Sequence, residues 1–286
     1  MTSALTPGAF GIIASMLKAR SGLSIGPDKL YLLETRLAGI LKQEGLRDLN
    51  RLADRLSQPG ADAIAAAVVE AMTTNESFFF RDGRPFEHMR QHALPQLVAR
   101  RPPGATIRIW SAASSSGQEA YSLAMILADC RPLLGDRKVD ILGTDISGEQ
   151  IARARAGLYT QFEVQRGLPV QMLMRYFRKE EAGWRIAQSL RDMVQFREFN
   201  LLNDPRPLGR FDIVFCRNVL IYFDQPTKAR VLEAIASQMP ADGVLYLGGA
   251  ETVVGITQRF APLPQERGAY RLAPATAPAS RMAVSA

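Results

Sequence analysis

The hydrophobic period changes partway along this chain, and that change constrains the fold more than any single residue. Up to about residue 95, apolar residues recur at helical spacing. Phe10, Ile13, Met16 and Leu17 form one set, Leu30, Leu33, Leu37 and Leu41 another, and Ala61–Met72 is an Ala-rich third. A further helix is expected from Arg84 to about Ala99. Gly22, Gly45 and Pro59-Gly60 punctuate these segments, and Arg101-Pro102-Pro103-Gly104 ends the helical pattern. Beyond it, strands are expected at Thr106–Ser111, Val139–Gly143, Val194–Phe199, Asp212–Cys216 and Val244–Gly248. Helices are expected between them at Glu119–Cys130, Gly148–Ala156 and Pro226–Met239. Such alternation predicts an open, parallel α/β sheet covered by helices on both faces. The chain therefore divides into an all-α N-terminal domain with its linker over 1–95 and an α/β domain over 96–272. The Ala/Pro/Ser-rich segment 273–286 is expected to be a disordered tail.

Composition narrows the chemistry. The 286 residues include two cysteines, Cys130 and Cys216, and two histidines, His88 and His92. Neither a disulfide framework nor a Cys/His zinc cluster can be built from these, so no metal is expected. Few parts remain for a Cys–His or Ser–His–Asp nucleophile. The net charge is +7, and the excess lies beyond residue 90 as scattered arginine. A basic balance favours acidic partners, although solvated surface charge accounts for it equally well. No secretory signal opens the sequence, and the longest near-apolar stretch, Ala63 to Met72, is about half of a ~20-residue membrane span.

In open α/β sheets the ligand binds outside the carboxyl ends of the strands. The first strand runs into Ser111-Ala112-Ala113-Ser114-Ser115-Ser116-Gly117-Gln118-Glu119. Small residues let the backbone approach a ligand, and Gly117 permits a tight turn into a helix. The turn lacks the lysine of a phosphate-binding loop and the glycines of the dinucleotide fingerprint. Glu119 either complements the helix dipole or faces a cationic or hydroxyl-bearing ligand. The second strand ends at Gly143-Thr144-Asp145, where an acidic residue suits ribose hydroxyls; Asp145 and Ser147 also serve as helix caps. The third leads into Asn200-Leu201-Leu202, and the fourth into Cys216-Arg217-Asn218-Val219-Leu220-Ile221-Tyr222-Phe223. Between the two domains lies Met72–Arg81, where the polar face of Asn75, Ser77 and Arg81 is placed to reach the cleft while the Phe78–Phe80 run packs inward.

Together these residues resemble the chemotaxis receptor methyltransferases of the CheR type. The resemblance rests on Thr74–Arg81, Arg108–Ala124, Asp145-Ile146, Phe196–Leu202 and Phe211–Phe223, in order along residues 10 to 272. It implies a doubly wound, mostly parallel Rossmann-like methyltransferase sheet with a small antiparallel β insertion near 176–198. It implies S-adenosylmethionine as methyl donor, with S-adenosylhomocysteine as product. The acceptor would be a glutamyl carboxylate in the helical region of a chemoreceptor, giving a methyl ester in the cytoplasm for chemotactic adaptation. Cofactor-binding positions carry over to Asn75, Ser77, Arg81, Glu119, Asp145, Asn200, Leu201, Arg217 and Asn218. Tyr222 carries over to the tyrosine beside the transferred methyl, the candidate catalytic residue. Ser77 stands where the family usually has Thr. The family's late His-Ser-Glu motif reads Gly249-Ala250-Glu251 here. The insertion is short, with Gly183-Trp184 as its expected turn, which resembles members that do not need a receptor C-terminal pentapeptide. A monomer without nucleic-acid partner or membrane insertion is expected.

The chemistry agrees with the parts. A glutamate carboxylate, with an ordinary pKa near ~4.3, is already ionised at neutral pH and needs no general base. What is left to supply is alignment, for which Tyr222 is a candidate, and desolvation. Arg81 is placed to take the donor's methionine carboxylate. Arg100 and Arg101 are candidates to hold the acceptor by a bidentate pair. Lys29, Arg36 and Lys42 fall on related faces of the second helix, either as solvated charge or as a face for an acidic receptor helix. A base-flipping nucleic-acid methyltransferase is disfavoured because the fourth strand end reads Cys216-Arg217-Asn218-Val219 rather than Asn/Asp-Pro-Pro-Tyr. A protein that only binds the nucleoside is the remaining alternative class.

Overall fold

The computed structural model describes residues 4–264 and 266–274. Of the expected tail, Ala273 and Pro274 are described; residues 275–286 lie outside the described residues.

The amino-terminal segment is helical, as its apolar spacing requires. Helices run over Pro7–Ser21, Leu30–Gln43, Leu49–Leu56 and Asp62–Met72. Thr6 caps the first by accepting from the Ala9 N–H, and Gly22 ends it. Ile13, Leu17, Leu33, Leu37, Leu52 and Val68 are buried together as a separate core. Between residues 84 and 100 the chain stays helical, with one wider turn at Met89–Ala93 just before Pro95. Proline has no N–H for the ordinary ladder, which explains the widening.

Ten strands follow among the described residues: β1 (Ile107–Ala112), β2 (Val139–Asp145), β3 (Leu158–Tyr159), β4 (Phe177–Glu180), β5 (Gly183–Ile186), β6 (Val194–Glu198), β7 (Ile213–Cys216), β8 (Val244–Leu247), β9 (Phe260–Pro262) and β10 (Ala269–Leu272). Seven make one sheet in the order β6-β2-β1-β7-β8-β10-β9. The first five are parallel, and β10 joins antiparallel to β8. Residues alternate between the two faces. Ile109, Ile213, Phe215 and Tyr246 enter the core under one layer of helices, while Trp110, Val214, Cys216 and Leu245 enter the other. Burial on both faces is why Ile213–Cys216 reads as a continuous apolar run. The chain leaves β1 toward β2 and β6 on one side and returns to β7 and β8 on the other, so the strand order reverses between β1 and β7. A cleft is expected at that switch point.

The small sheet needs two corrections. It runs in the order β3-β5-β4 over residues 158–186, whereas it was expected near 176–198; Val194–Glu198 instead forms the edge of the large sheet. Its turn falls at Glu181-Ala182, and Gly183-Trp184 begin β5 instead of turning. The cause is the close approach of β3, whose Tyr159 carbonyl would lie 2.5 Å from any Cβ at position 183.

Candidate active site

The cleft is built from turns that ordinary residues adopt only under constraint. After β1 the chain passes through Ala113 at φ 62°, Ser115 at φ 48° and Gly117 at φ 93°. A Cβ on Gly117 would stand 2.9 Å from the Ala154 Cβ and 3.0 Å from the Phe196 ring. Glycine thus lets the helix Gln118–Asp129 start tight against the sheet. The arch is held by the Ser114 N–H on the Thr144 carbonyl (2.8 Å) and the Ser115 N–H on Asp145 Oδ2 (2.8 Å). Ser115 Oγ reaches across to the Asn75 carbonyl at 2.9 Å and ties the arch to the interdomain segment.

Two buried carboxylates face this arch. Asp145 accepts from Ser115 and, through Oδ1, from the Ser147 N–H at 2.9 Å. Burial pushes its pKa above the ordinary carboxylate range, against the pull of these N–H donors. Glu119 sits in the first turn of its helix, taking the Ser111 hydroxyl at 2.8 Å and an Arg217 Nη1–H at 3.1 Å. Burial raises its pKa too, opposed first by the Arg217 charge. Arg217 itself is enclosed, with its side chain 1% exposed. It donates to Asp82 (2.6 Å) and to the Arg81 carbonyl (2.9 Å), and its Nε finds no partner.

Asn218 follows at φ 59°, and its N–H donates to Glu251 Oε2 at 2.8 Å. Tyr222 ends the next short turn (Leu220–Tyr222). Its carbonyl accepts the Ser24 N–H at 2.9 Å, and Leu23 bridges Phe223 in antiparallel fashion. On the opposite wall Arg36 donates to the carbonyls of Met72 (2.7 Å) and Thr73 (3.0 Å), bracing the segment that carries Asn75 and Ser77. Arg81 donates to the Glu76 carbonyl at 2.9 Å and lies over the Phe78 ring.

All ten residues expected from the sequence line one cleft of about 1010 Å³, open mouth included. Three other expectations are corrected. Arg101 is bound by Asp212 and Asp242, and Arg100 approaches Asp242 at 3.9 Å. Both lie at the amino ends of the strands, so neither can hold an acceptor in the cleft. Arg36 is spent on the interdomain segment instead of standing on a free face; Lys29 and Lys42 are exposed. Two further residues matter to the site. Asp82, directly after the Phe-Phe-Arg run, is Arg217's second anion; its position beside that motif was the available signal. Glu251 was noted only for the missing histidine beside it.

Residues 75–269 match the family model described as CheR methyltransferase, SAM binding domain. The chain is 39% identical over 248 residues to the chemotaxis protein methyltransferase Cher2 of Pseudomonas putida, covering 85% of this chain and 90% of that one. It is 39% identical to chemotaxis protein methyltransferase 1 of Pseudomonas aeruginosa, covering 88% and 92%, and 34% identical to the Salmonella typhimurium chemotaxis protein methyltransferase, covering 90% and 88%. The chain belongs to the CheR methyltransferase family. Its cofactor is S-adenosylmethionine, and the cleft fits that group chemically. Leu23, Val69, Ile146, Phe199 and Leu201 supply apolar surface for a flat ring. Asp145 keeps lone pairs for hydroxyl donors, Glu119 adds negative charge for a cation, and Arg81 offers a guanidinium at the rim. This CheR fold carries no membrane-length apolar helix among its described residues.

Proposed function

We propose that this protein methylates glutamyl side-chain carboxylates on the cytoplasmic helical region of chemoreceptors, for chemotactic adaptation. The reading takes 1–95 and 96–272 as two domains, with the cleft between them. The observation that carries it is the convergence of Asn75, Ser77, Arg81, Glu119, Asp145, Asn200, Leu201, Arg217, Asn218 and Tyr222 on one cleft without a histidine or thiol. When bound, S-adenosylmethionine supplies a sulfonium methyl; a carboxylate oxygen takes it as the S–CH3 bond breaks, leaving a methyl ester and S-adenosylhomocysteine. No proton has to be removed from an ionised carboxylate, so the absence of a base is no defect.

Asp145 would take the ribose hydroxyls, Asn75 and Ser77 the donor's polar edge, and Arg81 its carboxylate. Glu119 and Arg217 would set the local charge, and Asn200-Leu201 and Asn218 would line the nucleoside wall. Asn200 keeps its place by donating to the Arg20 carbonyl. The Tyr222 hydroxyl would orient one acceptor oxygen while the other attacks; such alignment is a large share of what a base-free reaction needs. Lys29 and Lys42 remain exposed toward an acidic receptor helix. The short hairpin of β4 and β5, with its two-residue turn, supports a receptor tail-peptide-independent mode.

The test is methyl transfer from labelled S-adenosylmethionine to receptor cytoplasmic fragments, with and without their last five residues. The expected label is released by alkali as methanol, at equal rates for both fragments. In Tyr222→Phe it falls on the order of 10²-fold with donor affinity kept. Alkali-stable label, or no donor binding, would overturn the reading; a tail-dependent rate would overturn the peptide-independent part alone.

A further inference from the structure

One buried carboxylate near the cleft is used neither by the donor nor by an ion pair. Glu251 follows β8, is 9% exposed, and has no arginine or lysine partner among the described residues. Its two oxygens accept four backbone N–H groups: Oε2 from Gly248 (2.7 Å) and Asn218 (2.8 Å), Oε1 from Val219 (3.0 Å) and Ile221 (3.3 Å). Three of these donors belong to the loop between Arg217 and Tyr222. Inside the loop only the Tyr222 and Phe223 N–H groups find backbone partners, on the Val219 and Leu220 carbonyls, so the N–H groups of Asn218, Val219 and Ile221 fall to Glu251. Position 248 is equally committed. A Cβ there would stand 2.7 Å from Asn218 Nδ2 and 2.8 Å from Glu251 Oε2.

We infer that Glu251 is the positioning residue of the acceptor side, fixing Tyr222 through the backbone of residues 218–221. This rests on the reading of Tyr222 as the acceptor-orienting residue. The division of labour follows from where the loop is tied. Its beginning, Arg217, is anchored independently by Glu119 and Asp82, so among the donor-side residues of this loop only Asn218 is tied to Glu251. Its end reaches Tyr222, whose carbonyl is held by Ser24 from the far side. Glu251 therefore controls the stretch between a donor-side anchor and the tyrosine. A carboxylate suits the place, because all four groups facing it are donors. The amide of Gln would turn its own NH2 against two of them, a clash that leaves buried donors unpaired.

The experiment replaces tyrosine by 3-fluorotyrosine in the full-length protein, assigns the Tyr222 signal by Tyr222→Phe, and compares wild type, Glu251→Gln and Glu251→Asp. In Glu251→Gln the Tyr222 fluorine resonance should move or broaden while those of Tyr121 and Tyr159 stay. Donor affinity by calorimetry should fall far less than kcat, because Asn218 alone of the donor-side residues leans on Glu251, and kcat should fall on the order of 10²-fold. Glu251→Asp should recover part of both the signal and the rate. An unmoved Tyr222 signal in Glu251→Gln overturns the inference. So does a parallel loss of donor affinity and kcat with all tyrosine signals disturbed, which marks a general brace. The fluorine readout needs no acceptor, so it decides the role of Glu251 even if the wild type proves not to methylate receptors.

Discussion

The two ends of the large sheet are stabilised differently. At the amino ends, charge is met by charge in relaxed backbone. Arg101 spans Asp212 and Asp242 with four hydrogen bonds, and Arg108 pairs with Asp140 while stacking on Phe211. At the carboxyl ends, beside the Arg217 pairs with Glu119 and Asp82, carboxylates are also buried against backbone N–H groups with no cation, as at Asp145 and Glu251. All five non-glycine residues with positive φ among the described residues, Phe80, Asp82, Ala113, Ser115 and Asn218, stand on or beside the cleft. Strained turns of this kind cost on the order of 1–3 kcal/mol each and persist where the surroundings over-determine them. The amino ends hold the fold; the carboxyl ends spend some of that stability on a shaped site.

Breaking this contrast should be most visible at Arg217. Arg217→Ala strips Glu119 of its buried partner, so unfolding free energy in urea should drop by about 3–5 kcal/mol and donor binding should be lost together with it. Gly117→Ala comes next. Its Cβ collides with Ala154 and Phe196 at positive φ, which should cost about 1–3 kcal/mol and weaken donor affinity measured by calorimetry. Arg101→Ala sharpens the comparison from the other end. It leaves a mostly buried Asp212 with the Arg108 N–H alone and should lower urea stability by about 1–3 kcal/mol, yet donor affinity at permissive temperature should be unchanged. A loss of affinity there would show that the two ends are not separable.

The smallest effect is a pH dependence. His88 is buried against the Tyr246 hydroxyl at 2.8 Å. Burial pushes its pKa down, the His92 charge adds to that push, and Glu266 opposes it. A depressed imidazole binds protons more readily in the unfolded chain. Its contribution is therefore present above the ordinary histidine pKa of ~6.5 and is lost as pH falls through the lower folded value. Between pH 7.5 and 5.5 the wild type should lose a few °C more of Tm than His88→Gln, which keeps a hydrogen-bonding group without titrating.

Much of this was legible in the sequence, for reasons that are local. Parallel strands buried on both faces read as apolar runs, so Val139–Gly143 and Asp212–Cys216 stood out. Their carboxyl ends point to one place by topology, which is why the sequence alone gathers Asp145, Asn200 and Asn218. The small sheet was misplaced because its signals are weak: β3 is two residues long, and β4 is Phe-Arg-Lys-Glu with three exposed side chains. Arg100 and Arg101 are misassigned by sequence because they stand where a helix gives way to a linker, and nothing in that break tells which end of the sheet it borders. Glu251 went unrecognised because its role lies in backbone donors, and these leave no trace in residue identity.

The bridge between Leu23 and Phe223 limits how this molecule can be cut and recombined. The helical segment contributes the Ser24 N–H to the Tyr222 carbonyl, the Leu23 backbone to Phe223, and Lys18 to Asp224 at 2.6 Å. That lysine holds the Asp224 carboxyl down at about 2. An isolated SAM-binding fragment would lose these three supports for the loop at once. Chimeras assembled from two relatives inherit the same problem at the seam. Residues 18–24 and 222–224 form a single unit of inheritance divided over two distant stretches of gene, and parental pairs there should travel together.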